Sequence, residues 1–176
     1  MPKELKLDPS NIILKGLISS NLDQVQEFKC DNGSMESFLK FEAYSSHIMR
    51  EASTTLVFYE DKLVAYFTLH RSPINIKHNL EKTTKDALAL ARLAVATEYQ
   101  DLGIGTYIIR KIKEIAYMTN EIYIKTDAVF ERWKWYRDQG FISVIEDETD
   151  PEKTPGFVYM IVDLYDDKLV EEYCDV

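Results

Sequence analysis

Two of the six glycines in this 176-residue chain stand one residue apart, in Gln100-Asp101-Leu102-Gly103-Ile104-Gly105-Thr106. Just upstream, residues 87–96 form an apolar run whose only charge is Arg92. Downstream, residues 106–118 put Ile108, Ile112, Ile115 and Ala116 on one face at helical spacing, with Arg110, Lys111, Lys113 and Glu114 around the other side. Periodicity alone leaves the apolar run open between a strand and a buried helix. The glycines after it tip the reading to a buried strand, a tight turn and an amphipathic helix. Such a turn presents bare backbone and unpaired N–H groups at a helix start, which suits an anion.

The rest of the chain predicts a mixed sheet around this unit. Residues 12–18 read as a strand, and residues 21–28 and 35–51 as helices. Residues 54–59 and 63–70 read as a hairpin across Glu60, Asp61 and Lys62. Residues 71–86 are polar and read as a loop, with room for a helical turn. Residues 121–126 alternate as a strand. Residues 129–139 read as a helix facing inward through Val129, Trp133 and Tyr136, with Gly140 just past its end. Residues 141–145 and 157–163 read as two strands around the acidic stretch EDETDPEKTPG. The expectation is one α+β (α/β) domain over residues 1–176. Its core spans about 12–163, with six to seven strands in a central mixed, mostly antiparallel sheet, about four helices, and an acidic tail at 164–176.

Charge narrows the partners. Residues 1–140 carry 19 basic and 19 acidic side chains, so the net charge of −9 lies wholly in residues 141–176. A neutral body argues less against nucleic acid than a uniformly acidic one would. Cys30 and Cys174 show no metal spacing and read as free thiols in a reducing compartment. Lys15 interrupts the first apolar stretch, so neither a signal peptide nor a membrane span is expected, and the reading is cytoplasmic.

Two phosphate loops are excluded by the residues. A dinucleotide fingerprint needs a glycine at 108, where Ile stands; a Walker loop needs Lys and Ser or Thr after Gly105, where Thr106 and Tyr107 stand. The surviving pattern, Gln100-x-x-Gly103-x-Gly105, resembles the pyrophosphate loop of the GNAT superfamily of acetyl-coenzyme A-dependent N-acetyltransferases. ARLAV (91–95) precedes it as in that family, and Tyr136-x-x-x-Gly140-Phe141 resembles the family's ending. FKCDNGSMESFLKFEA (28–43) and TLVFYEDKLVAYFTL (55–69) resemble the front half of the branch that includes the acetyltransferase toxins of toxin–antitoxin operons. The sequence departs from toxin-type loops at Asp101, where they carry a basic residue or glycine.

The resemblance implies roles. Backbone of Gln100, Asp101, Leu102, Gly103, Ile104, Gly105 and Thr106 would hold the pyrophosphate of acetyl-CoA. The strand edge at Leu93, Ala94 and Val95 would meet its acyl-pantetheine arm, with the Val95 amide donating to the thioester oxygen. Tyr136 would protonate the leaving thiolate, a phenol being protonated at neutral pH. Asp127 reads as a helix cap or a base, His70 as a weaker base candidate, and Arg92 as an acceptor contact or one half of an ion pair. The carboxylates of 146–152 read as a solvated loop or a lure for a cationic acceptor. No metal is implied. The expected activity is direct acetyl transfer to a primary amine on a small molecule, a peptide or an aminoacyl-tRNA. A non-catalytic acyl-CoA-binding module is the alternative. A homodimer is compatible with the chain, as is an antitoxin partner for a toxin-type enzyme.

Overall fold

The computed structural model describes residues 1–78, 81–153 and 156–165. Seven strands form one mixed sheet in the order β1-β2-β3-β4-β5-β7-β6. They are β1 (Ile12–Gly16), β2 (Ser53–Tyr59), β3 (Lys62–His78), β4 (Glu81–Val95), β5 (Tyr123–Val129), β6 (Ile142–Ser143) and β7 (Phe157–Asp163). The described α-helices are α1 (Leu22–Glu27), α2 (Gly33–Phe41), α3 (Ala43–Ile48), α4 (Ile104–Met118) and α5 (Trp133–Asp138). The fold is the expected α+β class, with five described helices rather than about four. The chain divides into two compact units, one of residues 3–70 and 91–108, the other of residues 1–2, 71–90 and 109–176.

In the first unit, β1 and β2 pair antiparallel, as do β2 and β3. The β2–β3 turn puts Glu60 and Asp61 at φ 47° and 66°, as a tight hairpin requires. Phe28, Leu39, Leu56 and Tyr66 are buried in one cluster with Ala94 and Ala96 from the apolar run. Tyr66 takes Phe28 edge-on at 5.7 Å and donates its hydroxyl to the Met35 carbonyl at 2.6 Å. Burial pushes its phenol pKa upward. The expected single helix over 35–51 is two helices: Glu42, at φ −119°, ends α2 and precedes α3.

In the second unit, the polar stretch expected as a loop is strand instead. β3 runs on to His78 and β4 begins at Glu81. Polar composition misled because Arg71, Pro73 and Asn75 are exposed while Ile74 between them is buried on β3. β4 and β5 run parallel through Leu88 with Ile124 and Ala89 with Lys125, and β5 and β7 pair antiparallel along Tyr123–Val129. The helix expected at 129–139 is a 3-10 turn followed by α5, and Val129 ends β5. Lys113, expected on the outer face of α4, is buried, and its Nζ donates to the Gln139 carbonyl at the end of α5 at 2.8 Å. A cation there complements the carbonyl end of the helix. The acidic tail beyond residue 165, with Cys174, lies outside the described residues.

Candidate active site

The glycine loop opens α4. Tyr107 donates its N–H to the Gly103 carbonyl at 3.0 Å, which makes Gly103 the cap of the helix. The N–H groups of Ile104, Gly105 and Thr106, in the first turn, have no partner within a helix of this geometry. Asp101 and Gly103 both take left-handed conformations, at φ 61° and 82°. The Gln100 side chain donates from Nε2 to the Val95 carbonyl at 3.4 Å, tying the loop back to the end of β4. Leu93 and Val95 are half-buried and Ala94 is buried. The structure therefore brings Gln100, Val95 and the start of α4 together in one unit.

Residues 3–6, which the sequence reading left unassigned, lie against this loop. Lys6 donates its N–H to the Leu102 carbonyl at 2.9 Å. Lys3 Nζ meets Asp101 Oδ1 at 2.5 Å. No signal in the sequence points to these contacts, which join residues about a hundred positions apart.

Arg92 is neither in solvent nor in an ion pair with a carboxylate among the described residues. Its Nη1 donates to the Ala91 carbonyl at 3.0 Å, its guanidinium lies 4.9 Å from the centre of the Phe38 ring, and its buried Nε has no hydrogen-bond partner. The expected ion pair is thus replaced by a cation–π contact. His47 is structural: its Nδ1 accepts the Thr54 N–H at 2.9 Å.

Tyr136, in the other unit, sits between Trp135 and Phe141, edge-on to both rings at 4.9 and 5.5 Å. Phe141 donates its N–H to the Tyr136 carbonyl, so Gly140 and Phe141 close α5 back onto the tyrosine. Burial raises the phenol pKa to about 12, while hydrogen bonding with Thr126 and the nearby Arg132 charge partly offset that rise. Thr126 is buried on β5, and the one proton of its hydroxyl goes to the Leu90 carbonyl at 3.0 Å. Leu90 and Thr126 are the positions that follow Ala89 and Lys125 along the parallel β4–β5 pairing. Thr126 is a residue the sequence reading missed; a threonine in a β-rich run carries no mark of its own.

Asp127 does not cap a helix. It lies exposed within β5, opposite Tyr159 in register, and the cap position of the following 3-10 turn is Val129. The acidic loop is engaged with its own neighbours: Glu148 accepts the Tyr159 N–H at 2.7 Å, and Asp147 pairs with Lys153 at 2.5 Å. Among the described residues no group of three or more His, Cys, Asp or Glu could hold a metal ion, and no helix is long and apolar enough to cross a membrane.

A family model described as Acetyltransferase (GNAT) family matches residues 22–141, over half of the chain. The chain belongs to the GNAT acetyltransferase family. No curated protein matches it. Solved structures share the fold at low identity. A bacterial toxin is 15% identical with a TM-score of 0.74, covering 94% of this chain and 96% of that one. The toxin AtaT complexed with acetyl-methionyl-tRNAfMet is 16% identical with a TM-score of 0.70, covering 91% and 99%. An AtaT mutant bound to the C-terminus of the antitoxin AtaR and acetyl-CoA is 14% identical with a TM-score of 0.66, covering 92% and 97%. These neighbours share the fold of this GNAT chain.

Proposed function

We propose that this GNAT enzyme transfers an acetyl group from acetyl-CoA directly to a primary amine. The observation that carries the reading is the start of α4: a capping glycine at φ 82° and a first turn of N–H groups suited to a pyrophosphate. Acetyl-CoA supplies an acetyl group activated on a thiol leaving group. The N–H groups of Ile104, Gly105 and Thr106 bind the phosphates, and Gln100 holds the turn that aims them. The Val95 N–H polarises the carbonyl.

The acceptor amine, in its neutral form, forms the new C–N bond as the C–S bond breaks. Tyr136 gives its phenolic proton to the departing thiolate, the amine sheds its proton to solvent, and solvent reprotonates the phenolate. A phenol with a pKa raised to about 12 keeps its proton at every physiological pH, as a general acid must. No enzyme nucleophile is needed, and direct attack requires only that the amine be deprotonated.

A toxin-type acceptor, the amino group of an aminoacyl-tRNA, is favoured over a cationic small amine by Arg92. A half-buried guanidinium with an unpartnered Nε and no carboxylate paired with it among the described residues suits an anionic acceptor such as RNA. Lys134 and Arg137 beside the Trp133 ring, at 5.9 and 5.4 Å, add an exposed basic and aromatic surface on α5. An antitoxin partner accompanies that reading.

The test is acetyl transfer from labelled acetyl-CoA to a pool of aminoacyl-tRNAs, basic peptides and polyamines, followed by thiol release. Label in the aminoacyl-tRNA fraction supports the toxin-type reading. Label in peptide or polyamine alone removes it and leaves the acetyltransferase. Binding of acetyl-CoA with no thiol release on any acceptor would make the chain a binding module.

A further inference from the structure

We propose that residues 3–6 are a positioning segment of the cofactor site, holding loop 100–106 in the shape that aims the first N–H groups of α4. This rests on the assignment of that loop to acetyl-CoA. Three contacts converge on the loop from this one segment. The Lys6 N–H holds the Leu102 carbonyl at 2.9 Å, and Lys3 pairs with Asp101. The third contact is the backbone of Glu4 and Leu5 against Gly103. A Cβ placed on Gly103 would stand 2.3 Å from the Glu4 carbonyl oxygen, 2.7 Å from its carbon and 2.8 Å from the Leu5 Cα. All three atoms are backbone, so none can swing aside.

The bare backbone at Gly103 is therefore occupied by the chain's own residues 4 and 5. Asp101 and Gly103, both left-handed, flank Leu102, so fixing the Leu102 carbonyl fixes the turn into α4. Asp101, a non-glycine residue in a conformation that L side chains rarely adopt, persists because its surroundings determine it. The pairing with Lys3 also sets a cation beside the one carboxylate of a loop that binds phosphates. Both side chains are exposed, at 58% and 81%, so this charge contributes through affinity and its salt dependence more than through folding.

The segment is tested through its main chain. Lys6→Pro removes the N–H that holds Leu102 and leaves a residue compatible with a non-helical stretch. Lys6→Ala keeps that N–H. Calorimetry with acetyl-CoA on the full chain is expected to give a Kd about tenfold weaker for Lys6→Pro. Lys6→Ala restores tight binding, and kcat at saturating acetyl-CoA stays within about twofold of wild type in the proline variant. Wild-type Kd in a folded Lys6→Pro protein overturns the proposal.

Where Lys6→Pro does not fold, the exposed ion pair decides. Lys3→Asp is expected to weaken binding about threefold at low salt, and Asp101→Lys in the same chain to restore it. Purely additive losses overturn the proposal. If the wild-type chain binds no acetyl-CoA, the loop assignment itself falls; if it binds and these variants bind equally, only the role of residues 3–6 falls.

Discussion

Loop 100–106 and Tyr136 are held in place by different means. The loop is fixed by main chain: two left-handed residues, a carbonyl taken by Lys6 and a glycine pressed against Glu4. Tyr136 is fixed by side chains: two aromatic edges and the Thr126 hydroxyl. The difference fits the task proposed for each. Phosphate binding needs many N–H groups with fixed directions, which only backbone geometry supplies. Proton delivery needs one group at one distance with a chosen pKa, which packing and a hydrogen bond supply.

Tyr136→Phe tests the side-chain half most directly. It removes one oxygen and keeps both ring contacts, so the fold is retained. The expected loss in kcat is about 10²–10³-fold, with the KM for acetyl-CoA within about twofold. Steady-state kinetics against the best acceptor read it. An unchanged kcat would remove Tyr136 from the chemistry and leave the loop as the only functional half of the comparison.

Gly103→Ala tests the main-chain half. The alanine meets backbone at 2.3 Å and must also hold φ 82°, two separate penalties. Together they are expected to cost about 3 kcal/mol in chemical denaturation, with acetyl-CoA binding weakened more than about tenfold. The two losses arise from one displacement, so a variant that kept wild-type stability but lost binding would show the glycine is needed only by the ligand.

Thr126→Val joins the two halves of the argument at lower amplitude. The valine keeps the volume and strand preference but removes the hydroxyl that serves both Tyr136 and the Leu90 carbonyl. The expected loss in kcat is about tenfold, with Thr126→Ser close to wild type. In a Tyr136→Phe background the same change is expected to have little further effect on kcat, since the two act as a unit. Full additivity would make Thr126 a packing residue only.

The sequence made the loop legible because glycine spacing is local: Gly103, Gly105 and the helix after them lie within one short window. The same holds for Tyr136 with Gly140 and Phe141, where the helix end is written a few residues on. What holds each in place was not legible. Lys3 and Asp101 lie 98 positions apart, and Thr126 reaches Leu90 across 36. Neither pair leaves a periodic or compositional trace. The strand extension through residues 71–78 was hidden for a related reason. Ile74, which is buried, and Ile76 alternate with polar neighbours, but two apolar residues are too short a pattern to announce a ladder. Arg92 was legible as an anomaly, a lone charge in an apolar run, but its partner proved to be the Phe38 ring, which no charge pattern could name.

The smallest expected effect is an absence, and it separates the halves by pH. With the Tyr136 pKa raised to about 12, the phenol is fully protonated up to about pH 10. The acceptor amine gains its neutral form as pH rises. The kcat/KM profile is therefore expected to climb with pH and to show no falling limb before pH 10. Stability follows the same sign. The folded pKa lies above the unfolded value of about 10, so the contribution of the protonated phenol is complete below pH 10 and is lost as pH rises through about 12. The loss of stability between pH 10 and 12 is expected to be smaller in Tyr136→Phe than in wild type, with the other tyrosines common to both chains. A falling limb near pH 8 that disappears in Tyr136→Phe would mean the phenol is far more acidic than its packing implies, held by charge rather than by burial.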